Sequence, residues 1–131
     1  MAGMLYLVPT PIGNLGDISK RARETLESAD FIAAEDTRVT LKLLNHLELK
    51  KPLVSYYEHN KSFKGEKILD RILSGETCAL VSDAGSPAIS DPGEDLVKQC
   101  AAAGIPVCAI PGPCAAITAL SISAQSTGRF C

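Results

Sequence analysis

Short apolar runs alternate along this chain with longer segments whose apolar positions recur at helical spacing. Residues 5–8 (Leu, Tyr, Leu, Val) read as a buried strand, stopped by Pro9 and Pro11. Over 18–29, Ile18, Ala22, Leu26 and Ala29 fall on one helical face, with Lys20, Arg21, Arg23, Glu24 and Glu27 largely off it and Asp17 as the expected cap. Residues 31–34 form a second apolar run, and Val39, Leu43, Leu44 and Leu47 mark the helix after it. A third strand is predicted at 52–56, with Pro52 at its first position, where a lost N–H matters least. Ile68, Leu69, Ile72 and Leu73 then mark a helix that Gly75 can end. Residues 77–81 give the fourth strand, and the helix after Asp91 carries Leu96, Val97 and Cys100 as far as Ala103, with Gly104 as its stop. A fifth strand at 106–110 turns through Pro111-Gly112-Pro113 into a helix of small residues, 114–124.

Five strand–helix alternations with near-continuous apolar strands predict an α/β fold: an open, mainly parallel five-stranded sheet with helices on both faces. Right-handed crossovers restrict its winding, and ligands in such sheets bind outside the carboxyl ends of the strands. The loops at 9–17, 82–90 and 111–115 therefore share one edge with the Glu35-Asp36-Thr37-Arg38 turn and the turn at 56–60.

The loop at 82–93 carries the strongest local signal. Ala84, Gly85, Ser86 and Ala88 let a ligand approach the backbone, and Asp91, Pro92 and Glu94 read as the N-cap, first helical position and capping box of the next helix. With 131 residues and 46% hydrophobic content, the chain can build one ordinary domain but hardly two. A net charge of -2 argues against a broad basic nucleic-acid surface, so any RNA contact must be local or supplied elsewhere. Eight of the basic residues lie between 38 and 71, interspersed with Glu48, Glu58, Glu66 and Asp70, as on a solvated face. The five cysteines (78, 100, 108, 114, 131) lack C-x-x-C spacing and read as reduced, mostly core residues; no metal site is expected. The N-terminus does not resemble a signal peptide and no run is long enough to span a membrane, so a soluble, cytoplasmic protein is expected.

Nucleotide-loop motifs fit poorly. The first loop holds Gly13 and Gly16 but no G-x-G-x-x-G, and no G-x-x-x-x-G-K-[ST] occurs. Glu35 does stand about 20 residues beyond that loop, where a dinucleotide fold places its ribose-binding acid. Yet Pro9 and Pro11 remove N–H donors, and Asp17 sets negative charge where a pyrophosphate would sit. A neutral or cationic ligand fits better.

Five stretches then occur in order across nearly the whole chain: LYLVPTPIGNLGDI at 5–18, AAEDTR at 33–38, EHN at 58–60, ALVSDAGSPAISDPG at 79–93 and IPGPCAAITAL at 110–120. Together they resemble the small-subunit ribosomal RNA cytidine-2′-O-methyltransferases of the tetrapyrrole methylase superfamily. The resemblance implies S-adenosylmethionine as cofactor, held in a cleft between this α/β domain (1–124) and a second domain reached through a linker that begins at 125–131. It also implies small-subunit ribosomal RNA as partner and a homodimer for the full-length enzyme.

Residue by residue, the resemblance sets the cofactor against Pro11, Ala84, Gly85, Ser86, Ile89, Cys114, Ala115 and Ala116. The implied reaction moves a methyl group to a ribose 2′-oxygen, which a base can assist. Glu35, Asp36, His59 and Asp83 stand as candidates on the strand-end edge, while Arg38 and Asn60 could hold phosphate or ribose. Asp36 could equally cap the following helix, and His59 and Asn60 could only shape a turn. A porphyrinoid methylase is the nearer alternative and a nicotinamide-dependent oxidoreductase the more distant one.

Overall fold

The apolar runs pair as five short parallel strands in a computed structural model that describes residues 3–131. They are β1 (Leu5–Leu7), β2 (Phe31–Ala34), β3 (Leu53–Ser55), β4 (Cys78–Val81) and β5 (Val107–Ala109), in the order β3-β2-β4-β1-β5. In register, Leu5 faces Cys78 and Val107, and Phe31 faces Cys78 from the other side. The helices are α1 (Lys20–Ser28), α2 (Thr37–His46), α3 (Lys61–Leu73), α4 (Gly93–Ala102) and α5 (Ala115–Ile122).

Side chains alternate across the sheet and build two cores. On one face Ala22 and Leu26 of α1 and Leu43 and Leu44 of α2 cover Ile32, Ala34, Ala79 and Val81. On the other, Ile68 and Ile72 of α3 and Leu96 and Cys100 of α4 cover Leu5, Phe31, Ala33, Cys78 and Leu80. Burying each large side chain of this set, such as Phe31 or Leu26, contributes about 1.5–3 kcal/mol. Progress from β1 through β2 to β3 runs toward one edge and progress from β3 through β4 to β5 runs back, so right-handed crossovers place the two helix pairs on opposite faces. Neighbouring β1 and β4 thus send their chains to opposite sides, and a crevice opens at their carboxyl ends.

Several helix starts differ from expectation. Asp17 does not cap α1: it ends a 3-10 turn, Leu15–Asp17, capped by Asn14, and Ser19 caps α1 by accepting the Ala22 N–H at 3.0 Å. Each turn has its own cap, which one periodic pattern over 18–29 could not separate. α4 begins at Gly93, one residue later than expected; Asp91 does accept the Gly93 N–H, but Glu94 forms no capping box and pairs with Lys98 at 3.0 Å instead. Only Cys78 and Cys100 are core cysteines; Cys108 and Cys114 are half-buried and Cys131 is exposed. Helix α5 buries none of its residues, so the two helix pairs alone cover the sheet.

Candidate functional site

Hydrogen bonds that continue past the ends of the strands fasten three loops to one another. After Val8 donates to Leu80 at 2.9 Å, the Thr10 N–H donates to Gly85 O at 3.0 Å and the Gly85 N–H to Thr10 O at 2.9 Å. This antiparallel bridge locks the first loop to the β4 loop. The Ser86 hydroxyl then donates to Pro113 O at 3.1 Å, which attaches the β5 loop. Gly85 sits at φ 79°, and a Cβ there would meet Ile12 Cδ1 at 3.3 Å and Pro113 O at 3.4 Å. A Cβ at Gly112 would overlap the Pro9 ring. Glycine therefore avoids backbone strain at 85 and a steric overlap at 112.

Around this knot the small residues named from sequence come together. Ala84, Ser86, Ala115 and Ala116 are exposed, Pro11 is buried, Cys114 is half-buried, and Ile89 stands out at 78% exposure. One expectation needs adjusting. The Gly85 N–H and C=O are both committed to Thr10, so backbone contacts to a ligand fall to Ala84 and Ser86, whose N–H groups find no acceptor among the described residues. Cys114 caps α5 without a side-chain hydrogen bond, which leaves first-turn N–H groups of that helix open.

The candidate catalytic side chains divide. Glu35, exposed just beyond β2, has its carboxyl held above the usual range, first by partial desolvation and then by the negative charges of Asp83, Asp91 and Asp36. Glu35 and Asp83 thus belong to one acidic edge. Asp36 is the N-cap of α2: Oδ1 accepts the Arg38 N–H at 3.0 Å, and the Arg38 guanidinium grips both carboxylate oxygens at 3.0–3.1 Å. That hydrogen bonding holds the Asp36 carboxyl below its ordinary range. His59 lies on the turn after edge strand β3, edge-on to the Tyr57 ring at 6.5 Å between centroids. Asn60 shapes the same turn, accepting the Tyr57 N–H at 2.7 Å and donating to Ser55 O at 3.1 Å.

Two cavities flank the knot. One, of about 250 Å³, opens on the α2 side and is walled by Pro11, Leu15, Val39 and Leu43, with Lys42 and Asp83 also in its lining. The other, about 490 Å³ and almost wholly apolar, lies toward α4, between the 86–89 stretch and Leu7, Val97 and Ala109. Sequence reasoning missed the bridge made by Thr10, whose signal is a hydroxyl buried between two prolines. It also missed Lys42, which looked like one more surface cation.

Comparison with known proteins gives a consistent result. The family model described as Tetrapyrrole (Corrin/Porphyrin) Methylases matches residues 4–130. The chain is 54% identical over 129 residues to the ribosomal RNA small subunit methyltransferase I of Escherichia coli O157:H7, covering 98% of this chain and 45% of that protein. It is 57% identical over 128 residues to the protein of the same name from Halalkalibacterium halodurans, covering 98% and 44%. The chain therefore spans a little under half the length of these relatives. Among solved structures, a conserved hypothetical protein from Aeropyrum pernix K1 superposes with a TM-score of 0.77 at 22% identity, covering 99% of this chain and 46% of the other. Uroporphyrin-III-C-methyltransferase from Thermus thermophilus gives 0.70 at 24% identity, covering 92% and 52%. At these identities the structural likeness speaks for the fold.

Proposed function

The chain belongs to the tetrapyrrole (corrin/porphyrin) methylase family, and on that premise we propose that it is the donor-binding domain of an S-adenosylmethionine-dependent methyltransferase acting on a ribose 2′-oxygen, that of a cytidine, in small-subunit ribosomal RNA. The observation that carries this reading is the three-loop knot, whose exposed small residues and uncommitted N–H groups suit a ligand with adenosine and amino-acid parts. The identity to methyltransferases that act on ribosomal RNA supports the substrate.

The residues present fit the cofactor. Ala84 and Ser86 offer backbone donors, the open first turn of α5 at Cys114, Ala115 and Ala116 suits a carboxylate, and Pro11 and Ile89 give apolar contact. When bound, S-adenosylmethionine supplies an electrophilic methyl group. Positioning the ribose oxygen is the larger task of the protein, with up to about 7–11 kcal/mol available from near-attack geometry. Glu35 serves as proton acceptor for the 2′-hydroxyl in this reading, because it stands exposed on the strand-end edge and its raised pKa makes it a stronger base than an ordinary carboxylate.

Residues 1–124 form the donor-binding domain in this reading and 125–131 lead out of it toward a second domain. The enzyme works in the cytoplasm, where its RNA is, as a homodimer; the uncovered apolar surface of α5 suits a helix with further protein to pack against. The test is calorimetric titration with S-adenosylhomocysteine, followed by labelled methyl transfer to undermethylated small ribosomal subunits using the sequence extended to the length of its relatives. Binding and ribose methylation are expected. A folded protein that neither binds the probe nor methylates the subunits would overturn the proposal.

A further inference from the structure

The cavity between the first loop and α2 has features that core packing does not explain. Leu15, on the 3-10 turn, and Val39, in the first turn of α2, leave 44% and 39% of their surfaces exposed and both line the cavity with Pro11 and Leu43. The polar groups in its lining include a carboxylate and an ammonium that do not pair with each other. Asp83 accepts no hydrogen bond and Lys42 makes no ion pair among the described residues, although most acidic residues of this edge have partners. An apolar slot with one acceptor and one cation matches a single nucleotide: a flat base between aliphatic walls, an exocyclic amine on the carboxylate, and a phosphate on the lysine.

We infer that this cavity receives one nucleobase extruded from the RNA, and that Asp83 selects a base bearing an exocyclic amine while Lys42 contacts its phosphate. The inference rests on the reading that the acceptor is RNA, and it adds where the target nucleotide sits. Sequence-specific recognition of structured RNA targets unstacked bases that can be splayed out and hydrogen-bonded on their edges, and the protein must then hold the base so presented. The volume of about 250 Å³ suits one nucleotide and not a stacked run. The slot meets the cofactor loops at Pro11 and at Ser82 and Asp83, immediately before Ala84. Base and donor would thus lie on opposite flanks of the Thr10–Gly85 bridge, with the ribose between them.

The experiment is a titration of this chain with cytidine 5′-monophosphate and uridine 5′-monophosphate, followed by amide chemical shifts. Cytidine monophosphate should move the amides of Leu15, Val39 and Leu43 and bind at least about fivefold tighter than uridine monophosphate. Val39→Trp, at an exposed position, should abolish those shifts, and Leu15→Trp should do the same from the opposite wall. Asp83→Asn should level the preference between the two bases. Lys42→Ala should weaken cytidine monophosphate but not cytidine. Absence of nucleotide binding, equal affinity for the two bases, or shifts indifferent to both tryptophans would overturn the inference. Titration of the same proteins with S-adenosylhomocysteine separates the two readings. Donor binding without nucleotide binding refutes the pocket alone; nucleotide binding without donor binding keeps the pocket and refutes the donor site.

Discussion

Asp91 accepts the Ala88 N–H on both of its carboxylate oxygens, at 2.8 and 3.0 Å, and accepts the Gly93 N–H at 2.8 Å as well. One side chain therefore ties the end of the β4 loop to the start of α4. Ala88 and Ser90 lie at φ 69° and 57°, a left-handed conformation that costs non-glycine residues about 1–3 kcal/mol each. Asp91 supplies the contacts that hold it. Asp91→Ala should destabilise the protein by about 1–3 kcal/mol, the cost of unsatisfied partly buried N–H groups, and weaken S-adenosylhomocysteine binding by loosening the loop. Asp91→Asn, which keeps an acceptor oxygen, should lose less of both. Urea denaturation with calorimetry makes the comparison, and an alanine variant with unchanged stability and affinity would show that the loop holds itself.

Gly85 tests the knot from inside. At φ 79°, with Ile12 and Pro113 already within van der Waals reach of a Cβ, valine adds left-handed strain of about 1–2 kcal/mol and pushes the β5 loop away. Gly85→Val should remain folded with a lowered melting temperature and lose most of its S-adenosylhomocysteine affinity, with Gly85→Ala intermediate. Wild-type affinity in a folded valine variant would remove Gly85 from the site.

These two positions show what the sequence can and cannot display. The β4 loop is legible because small residues followed by Asp-Pro-Gly have few other uses, and the strand–helix alternation is legible because each strand is one unbroken apolar run. The role of Asp91 toward Ala88 was hidden, since nothing in an alanine announces a positive φ. Val39 matched the core periodicity of α2 as well as Leu43 did, and only tertiary packing leaves it exposed while Leu43, in the wall of the same cavity, is buried. Helix α5 was legible as a helix but not as uncovered: Thr118 and Ser121 are the polar residues of 115–122, both hydroxyls bond back to backbone carbonyls, and no charged stripe tells which face meets what. The strand order that puts β1 beside β4 depends on contacts between residues more than 70 positions apart, which periodicity does not encode.

Glu35 gives a pH-dependent test. Its folded-state pKa lies above the ordinary glutamate value, so the fold favours the protonated form. The corresponding stability is fully present below the ordinary glutamate range and is lost as pH rises through the raised folded value. Glu35→Gln, which mimics the protonated form, should therefore raise the melting temperature near neutral pH, with the gain vanishing in acid. In the extended enzyme the same change should lower methyl transfer by about 10²–10⁴ if Glu35 takes the ribose proton, with S-adenosylhomocysteine binding unchanged. A melting difference independent of pH would remove the electrostatic account, and undiminished turnover would remove Glu35 as the base.

Asp36 and Arg38 separate a structural role from an RNA-binding one within a single turn. Removing the cap in Asp36→Ala should cost about 0.5–2 kcal/mol, because the Arg38 N–H at the start of α2 loses its acceptor. Arg38→Ala should cost less, since the guanidinium is 88% exposed and exposed ion pairs contribute little. If structure were the whole role of Arg38, its loss would leave catalysis almost untouched. The guanidinium, however, stands on the carboxyl edge of the sheet and is held by Asp36 alone among the described residues, from which an RNA phosphate could draw it into a stronger charge-assisted pair. Arg38→Ala in the extended enzyme should therefore raise KM for ribosomal subunits and flatten the salt dependence of binding, leaving S-adenosylhomocysteine affinity and melting temperature near wild type. Arg38→Lys should restore part of the RNA affinity, because it keeps the charge but not the planar fork. A KM and salt slope unchanged in Arg38→Ala would confine this residue to the α2 cap.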